Sequence, residues 1–298
     1  MAFKSSKGRD IGKEVATWQS NNIGQSIGGG AGGSASPVPF SATGGTKTEP
    51  GDGFIYHVFG HPNPGSNFVV ATTNPEAQGG HTIEVYIQGN GGAGGGKSGT
   101  SSSVRSSGGG GGCSALWSVP ITTTGTYPVT VCGGRGPRPG NTNPYSYPTI
   151  GDPTTRFTHN TNPSIYIQSN GGNNGGWNGS PSGSDGGSGN AVGASDTWTP
   201  EGAVLNYLAK STDTPNSPSN PQGQPFQAGK GAGYYGTDGN VTAQWWEPYV
   251  PGGPSIGGNS AGTAGVNYGG GGGGVENGAS NSGSGAEGRM VIRYPDSI

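Results

Sequence analysis

Glycine occupies 67 of the 298 positions of this chain, and many of these glycines stand in nearly uninterrupted runs. A glycine loses more backbone entropy on folding than any other residue and has no side chain to bury. Ordering a residue costs roughly 1–2 kcal/mol of backbone entropy. Because hydrophobic residues make up only 28% of the chain, side-chain burial cannot offset that cost alone. An ordered fold therefore requires hydrogen bonds between neighbouring backbone segments.

The runs have one regular conformation that needs no side chains, the extended left-handed helix with three residues per turn called polyproline II. This helix makes no internal hydrogen bonds, so its N–H and C=O groups must bond to neighbouring segments. Collagen requires glycine at every third residue, and the chain sustains no such period. We therefore predict stacked polyglycine type II helices. The runs are residues 89–96, 108–112, 133–136, 171–176, 183–189, 229–233, 252–258 and 269–274.

Short apolar segments that alternate or are rich in β-branched and aromatic residues predict β-strands between the runs. They are FIYHVF at 54–59, NFVVAT at 67–72, TIEVYIQ at 82–88, LWSVP at 116–120, TYPVTV at 126–131, PSIYIQ at 163–168 and RMVIRY at 289–294. The predicted fold class is mainly β with polyglycine type II helices. We expect a β-rich base, a stacked glycine-rich helical sandwich and very little α-helix.

The first 27 residues form a distinct basic arm. Asp10 can cap a short helix whose apolar face is Ile11, Val15 and Trp18. A lone helix of this length is marginal in water, so a surface must stabilise it. We interpret residues 1–27 as an attachment segment that docks on another protein, and a helix that folds back on its own domain is the alternative.

A second helix signal lies at 199–210. Thr199 suits the cap and Pro200 the first helical position, while Val204, Leu205 and Leu208 share one helical face.

These patterns divide the chain into three segments. Residues 1–30 form the attachment arm and linker, and residues 31–135 a β-rich domain with the first glycine runs. Residues 136–298 form a glycine-rich scaffold with surface loops and a C-terminal strand.

Three segments carry a family resemblance. They are GGHTIEVYIQGNGGAGGGK (79–97), SSGGGGGCSALWSVPITTTGTYPVTVCGGRG (106–136) and GGGGGGVENGASNSGSGAEGRMVIRYP (269–295). In each, an apolar strand adjoins a glycine run, and the last ends in Val-Ile-x-Arg-Tyr-Pro. They resemble the glycine-rich domain common in phage tail and structural proteins, over roughly 44–136 and 229–295. The middle, about 137–228, departs from that pattern by carrying long polar insertions.

The organisation is also similar to the tip adhesins of T-even-like long tail fibres. That resemblance implies stacked polyglycine helices, an N-terminal segment bound to the fibre and variable loops that contact a bacterial receptor. The expected location is the virion, assembled in the host cytoplasm. The partners are another virion protein (fibre, tail or capsid), bound through residues 1–27, and a bacterial surface protein or glycan.

Aromatic residues in the polar insertions are the candidate receptor-binding residues. Tyr and Trp offer large contact areas at low entropy cost and are enriched at binding hot spots. The alternative is that these rings cover the edges of the glycine stack. The candidates are Tyr145, Tyr147, Trp177, Trp198, Tyr234, Tyr235, Trp245, Trp246 and Tyr249.

Motifs that point to enzymes are weak. Residues 91–98 match a phosphate-binding P-loop, but the following GTSSSVRSS lacks the helix that the mechanism needs. Two G-x-S-x-G matches, at 24–28 and 253–257, are expected by chance in so glycine-rich a chain. The sixteen acidic residues are scattered singly, and sequence cannot pair them for glycoside cleavage. We expect no catalytic residues and no cofactor.

The histidines and cysteines add few constraints. His57, His61 and His81 could lie near one another on strands, but we expect satisfied or exposed imidazoles rather than a metal site. Cys113 and Cys132 permit one bridge, and a free thiol pair is the interpretation that we favour. Basic residues form no stripe for nucleic acid, and no apolar stretch predicts membrane insertion.

The leading hypothesis is a non-enzymatic tail-fibre tip adhesin. A capsid-decoration or fibre-shaft protein without receptor binding shares the same folding arguments. A tail protein that degrades host polysaccharide is the third candidate.

Overall fold

A computed structural model describes eleven stretches of the chain. They are residues 39–62, 67–73, 81–95, 109, 112–137, 154–172, 174, 202–209, 264–265, 268–272 and 281–296. Contacts divide the chain into two units, Met1–Ser36 and Pro37–Ile298, and the described residues all belong to the second. The predicted helix over residues 10–18 lies outside them.

The described residues form twelve strands and no helix, so the prediction of a mainly β fold is confirmed. No helix among them could therefore cross a bilayer. The strands are β1 Ser41–Thr43, β2 Thr46–Thr48, β3 Phe54–Phe59, β4 Phe68–Thr72, β5 His81–Gln88, β6 Ser114–Ile121, β7 Gly125–Tyr127, β8 Val129–Thr130, β9 Thr154–Thr158, β10 Tyr166–Asn170, β11 Val204–Ala209 and β12 Arg289–Pro295.

Three antiparallel sheets contain these strands. The large sheet has six strands in the order β11-β6-β5-β12-β3-β2, and two small sheets have the orders β1-β4-β7 and β10-β9-β8. The last strand of the chain, β12, lies between β3 and β5. Strands from the predicted segments 31–135 and 136–298 thus pair within one sheet. The division of the chain into three segments remains a prediction.

The hydrophobic core lies where the small sheets pack on one face of the large sheet. Phe68 of β4 contacts Phe157 of β9 and Tyr294 of β12, with ring centroids 6.2 Å and 6.5 Å apart. Alternate residues of β5, namely Ile83, Val85 and Ile87, are fully buried in the same core. The apolar alternation seen in the sequence is therefore the core face of each strand.

Pro128 separates the predicted strand 126–131 into two short strands. A proline cannot donate to a sheet, and the chain changes sheets at this residue. β7, before it, pairs with β4, whereas β8, after it, pairs with β9.

The helix predicted at 199–210 is wrong. Residues 204–209 form β11, which pairs antiparallel with β6 at the edge of the large sheet. A short apolar run fits a strand as well as a helix, and the open edge of β6 offers backbone partners that a short isolated helix lacks. Gly202, two residues before the strand, has φ +89°, a conformation outside the right-handed helical region.

The central position of β12 generates a prediction. Ile292 is fully buried between β3 and β5, so Ile292→Ala should lower the free energy of unfolding by about 2–5 kcal/mol. Val69→Ala, at a side chain that is 36% exposed on β4, is the control and should change it by less than about 1 kcal/mol. Urea denaturation measures both, and equal small losses would show that the last strand is peripheral to folding.

Candidate functional site

Strands of two sheets continue directly into glycine-rich tracts at one common edge. The last residue of β5, Gln88, is a direct neighbour of Ser114 at the start of β6 and of Arg289 at the start of β12. These three strands therefore join their tracts side by side. β8 and β10 of a small sheet likewise continue into tracts. We call the described tract residues the glycine lattice. It comprises 89–95, 109, 112–113, 131–137, 171–172, 174, 264–265, 269–272 and 281–288.

The lattice is held by backbone hydrogen bonds with a three-residue step. The Gly91 N–H donates to the Ala286 carbonyl at 2.8 Å, and the Gly94 N–H donates to the Gly283 carbonyl at 3.0 Å. Donors three residues apart thus meet acceptors three residues apart. That step is the repeat of a three-residue helix, in which every third residue faces the same neighbour.

The same step recurs between other tracts. Gly109 and Gly112 donate to Gly272 and Gly269 at 2.8 Å and 2.7 Å. The Gly272 N–H in turn donates to Gly92 of a third tract at 2.8 Å. The prediction that glycine runs pack as polyglycine type II helices is therefore confirmed for the described tracts.

At several glycines of the lattice, the spacing of the tracts leaves no room for a side chain. A Cβ added to Gly91, Gly272 or Gly285 would lie within 3.0 Å of backbone atoms of a neighbouring tract, which real Cβ atoms essentially never do. These are rigid backbone atoms that cannot rotate away. Glycine is required in the lattice because its hydrogen atoms allow the carbonyls and amides of separate tracts to reach bonding distance.

Polar side chains fasten the lattice to the sheets. The Asn90 side-chain amide donates to the Gly133 carbonyl at 2.8 Å, and the Asn90 N–H contacts Cys132 Sγ at 3.2 Å. Cys132 Sγ also lies 3.0 Å from Thr155 Oγ1 of β9. Burial raises the pKa of the Cys132 thiol, so it remains protonated. No sequence motif marks this junction, because its members come from three separate segments.

Each long insertion has at least one end at this lattice or at its junction with the sheets. Residues 96–108 join Gly95 to Gly109, and residues 273–280 join Gly272 to Asn281. Both insertions therefore begin and end where the lattice tracts lie farthest from the sheets. Residues 138–153 follow the tract that ends at Pro137. Residues 175–201 join Asn174 of the lattice to Gly202, which precedes the end of β11 that lies away from the lattice. Residues 210–263 run from the lattice-side end of β11 to the tract at 264–265.

All nine predicted receptor-binding aromatics belong to three of these insertions. Tyr145 and Tyr147 lie in 138–153, Trp177 and Trp198 lie in 175–201, and Tyr234, Tyr235, Trp245, Trp246 and Tyr249 lie in 210–263. The residues themselves, like the attachment residues Ile11, Val15 and Trp18, lie outside the described part of the chain. The structure therefore places their points of attachment. The sequence also predicts receptor-binding loops at about 137–166, 196–228 and 234–251. The first two are partly wrong, because residues 154–158 form β9 and residues 204–209 form β11.

The P-loop match takes part in the lattice instead of forming a phosphate cradle. The N–H groups of Gly91 and Gly94 are bonded to carbonyls, and the Ala93 N–H donates to Asn174 Oδ1 at 2.9 Å. A phosphate-binding loop needs such amides turned toward the ligand. Its remaining residues, 96–98, are not among those described.

His57, His61 and His81 differ in burial and hydrogen bonding. His57 is hydrogen-bonded and buried, His61 is exposed, and His81 is buried with no partner for Nε2. Within the described ranges, no three His, Cys, Asp or Glu side chains group as metal ligands. Cys113 and Cys132 are both buried free thiols, as favoured from the sequence.

Comparison with known proteins identifies the family. The family model described as a glycine-rich domain matches residues 66–295, and the chain belongs to that family. None of the curated proteins matches the chain.

The packing of the lattice predicts unequal effects of substitutions at glycines. Gly272→Val should lower the free energy of unfolding by well over the ~1 kcal/mol typical of single mutations, because its side chain would meet backbone atoms of Gly283 and Ser284. Gly136→Ala is the matched control, since a Cβ there meets nothing within 4 Å. It should be neutral or stabilising. Chemical denaturation compares the two, and a stable Gly272→Val protein would show that the lattice does not hold the fold.

The buried thiols give a second prediction. Cys113 and Cys132 should resist a thiol reagent in the native protein, and both should react once it is unfolded. Ellman titration counts them. Rapid labelling of the native protein would contradict the closed junction between sheet and lattice.

Proposed function

We propose that this member of the glycine-rich domain family is a non-enzymatic virion structural protein, a tail-fibre tip adhesin whose insertions bind a receptor on the bacterial surface. In this proposal the receptor is a surface protein or glycan. The arm at residues 1–27 docks the protein on another virion component. The protein is assembled in the host cytoplasm and acts on the extracellular particle.

The observation that carries the proposal is the arrangement of the lattice. Neighbouring tracts brace one another through backbone bonds with a fixed step, so the ends of the tracts are held in fixed relative positions. Binding loops give higher affinity when a rigid scaffold positions them, because less entropy is lost on binding. A lattice of this kind supports several insertions without requiring any particular side chains in them.

The distribution of the aromatic residues adds support. The insertions at 138–153, 175–201 and 210–263 contain all nine candidate Tyr and Trp residues, although the insertions are otherwise polar. Aromatic rings stack on sugar faces and pack in protein pockets, which suits either kind of receptor. The close packing within the lattice is already made by backbone, so it does not need these rings to fill it.

The first test removes two aromatics. The purified protein, labelled and added to a panel of bacterial strains, should bind at least one strain saturably. Trp245→Ala combined with Trp246→Ala should weaken that binding at least about tenfold, within the range seen for hot-spot residues. The midpoint of urea denaturation should not change. Val69→Ala, a surface change on β4, is the control for both measurements.

Three outcomes would contradict the proposal. Binding that survives deletion of all three aromatic-bearing insertions in a protein that still folds would remove the receptor role. New reducing ends released from a bacterial surface polysaccharide would show that the protein is an enzyme. If the protein maps to a capsid lattice instead of a distal fibre tip, it is a decoration protein.

A further inference from the structure

The rings of His57, His81 and Tyr294 on the large sheet contact a short segment that includes β1 and the residue on either side of it. We call residues 40–44 the strap. The His81 ring stacks on Phe40 with centroids 4.2 Å apart and planes 17° apart. The Tyr294 ring meets Phe40 edge-on with centroids 4.7 Å apart, and His57 Nδ1 lies 2.7 Å from the Gly44 carbonyl oxygen. The contacts thus lie at both ends of the strap.

Two hydrogen bonds in series run from the strap into the large sheet. A carbonyl only accepts, so His57 Nδ1 carries a proton and donates it to Gly44. His57 Nε2 lies 3.2 Å from the Tyr294 hydroxyl, and in the neutral ring it accepts a hydrogen bond from that hydroxyl. Because the His57 side chain is 0% exposed, a positive charge on the ring would be buried, so this arrangement needs a neutral ring.

His81 also requires a neutral ring. It is 6% exposed, and its Nε2 atom is buried with no hydrogen-bond partner. Phe40 covers one face of the ring, and Tyr294 meets it edge-on with centroids 6.1 Å apart. Protonation would place an N–H and a positive charge among apolar rings without an acceptor, a strongly unfavourable burial.

The surrounding charges do not compensate for burial. Burial lowers the pKa of His57, and the Gly44 bond raises it by less. Lys47 lowers it and Glu49 raises it by smaller amounts, and the pKa remains below its ordinary value. For His81, burial alone lowers the pKa. Phe68 of β4 packs edge-on against His57 and brings no charge. Burial raises the pKa of Tyr294 to about 12, so the hydroxyl keeps its proton at neutral pH.

We propose that His57, Tyr294 and His81 form a proton-controlled latch, which holds the strap on the large sheet at neutral pH and releases it in mild acid. The held strap binds fewer protons than the released strap. Holding is therefore at full strength above about pH 6.5, the ordinary histidine value, and weakens as the pH falls below it. Residues 1–38, which precede the strap, include the proposed attachment arm. The latch itself stands whether or not that arm binds a virion partner.

Hydrogen exchange of the full chain tests the latch. Amides of β1 and its partner β4 should lose protection between about pH 8 and about pH 5, after correction for intrinsic exchange. The expected loss is about tenfold per pH unit for each proton taken up. Amides of β5, at the centre of the large sheet, should keep their protection throughout. Loss of β5 protection at the same pH would mean global unfolding and would overturn the proposal.

Matched variants separate the latch from general acid sensitivity. His57→Gln combined with His81→Phe cannot take up these protons, yet it keeps a donor for Gly44 and a ring for Phe40. Its strap should exchange independently of pH, whereas His61→Gln, at an exposed histidine, should behave as wild type. Unchanged pH dependence in the double variant would overturn the latch. If the double variant does not fold, His81→Phe alone must reduce the dependence, and an unchanged dependence again overturns it.

Discussion

Hydrogen bonding between backbones that lack side chains is the interaction on which this structure depends. A residue without Cβ lets two tracts approach until the N–H of one reaches the C=O of the next, as between Gly91 and Ala286. The entropy cost of ordering glycine is high. The hydrogen bonds between tracts offset this cost because they satisfy buried backbone groups that would otherwise have no partner. The glycine content is therefore a packing requirement within the described tracts.

The sheets and the lattice depend on each other. β5, β6 and β12 set the spacing and direction of the tracts that they adjoin, because their ends at Gln88, Ser114 and Arg289 are direct neighbours. The lattice, in turn, extends that order beyond the hydrophobic core with almost no apolar side chains. A scaffold built in this way can accept polar insertions where tracts begin and end, and the proposed adhesin function uses that property.

Much of the fold was predictable from residue patterns. Alternating apolar residues at 54–59, 82–88 and 289–294 located strands correctly. The glycine runs lack the three-residue period of collagen, and this led to the prediction that they pack as polyglycine type II helices. The helix at 199–210 failed because six apolar-rich residues fit either structure and only the open edge of β6 decides between them. The junction of Asn90, Cys132 and Thr155 could not be predicted, since its residues are distant in sequence and belong to no motif. The proposed binding residues could be chosen from the aromatic residues in the polar insertions. Their positions relative to one another depend on tertiary contacts, which the sequence does not reveal.

The central claim is that the tracts are locked by mutual amide bonding, and native-state hydrogen exchange of individual glycine amides tests it most directly. The N–H groups of Gly91, Gly94, Gly109 and Gly112 should be protected as strongly as those of β5 and should exchange only on global unfolding. Exchange of these amides at the rate of an unstructured chain, while β5 stays protected, would show that the glycine runs are solvated linkers and would contradict the account.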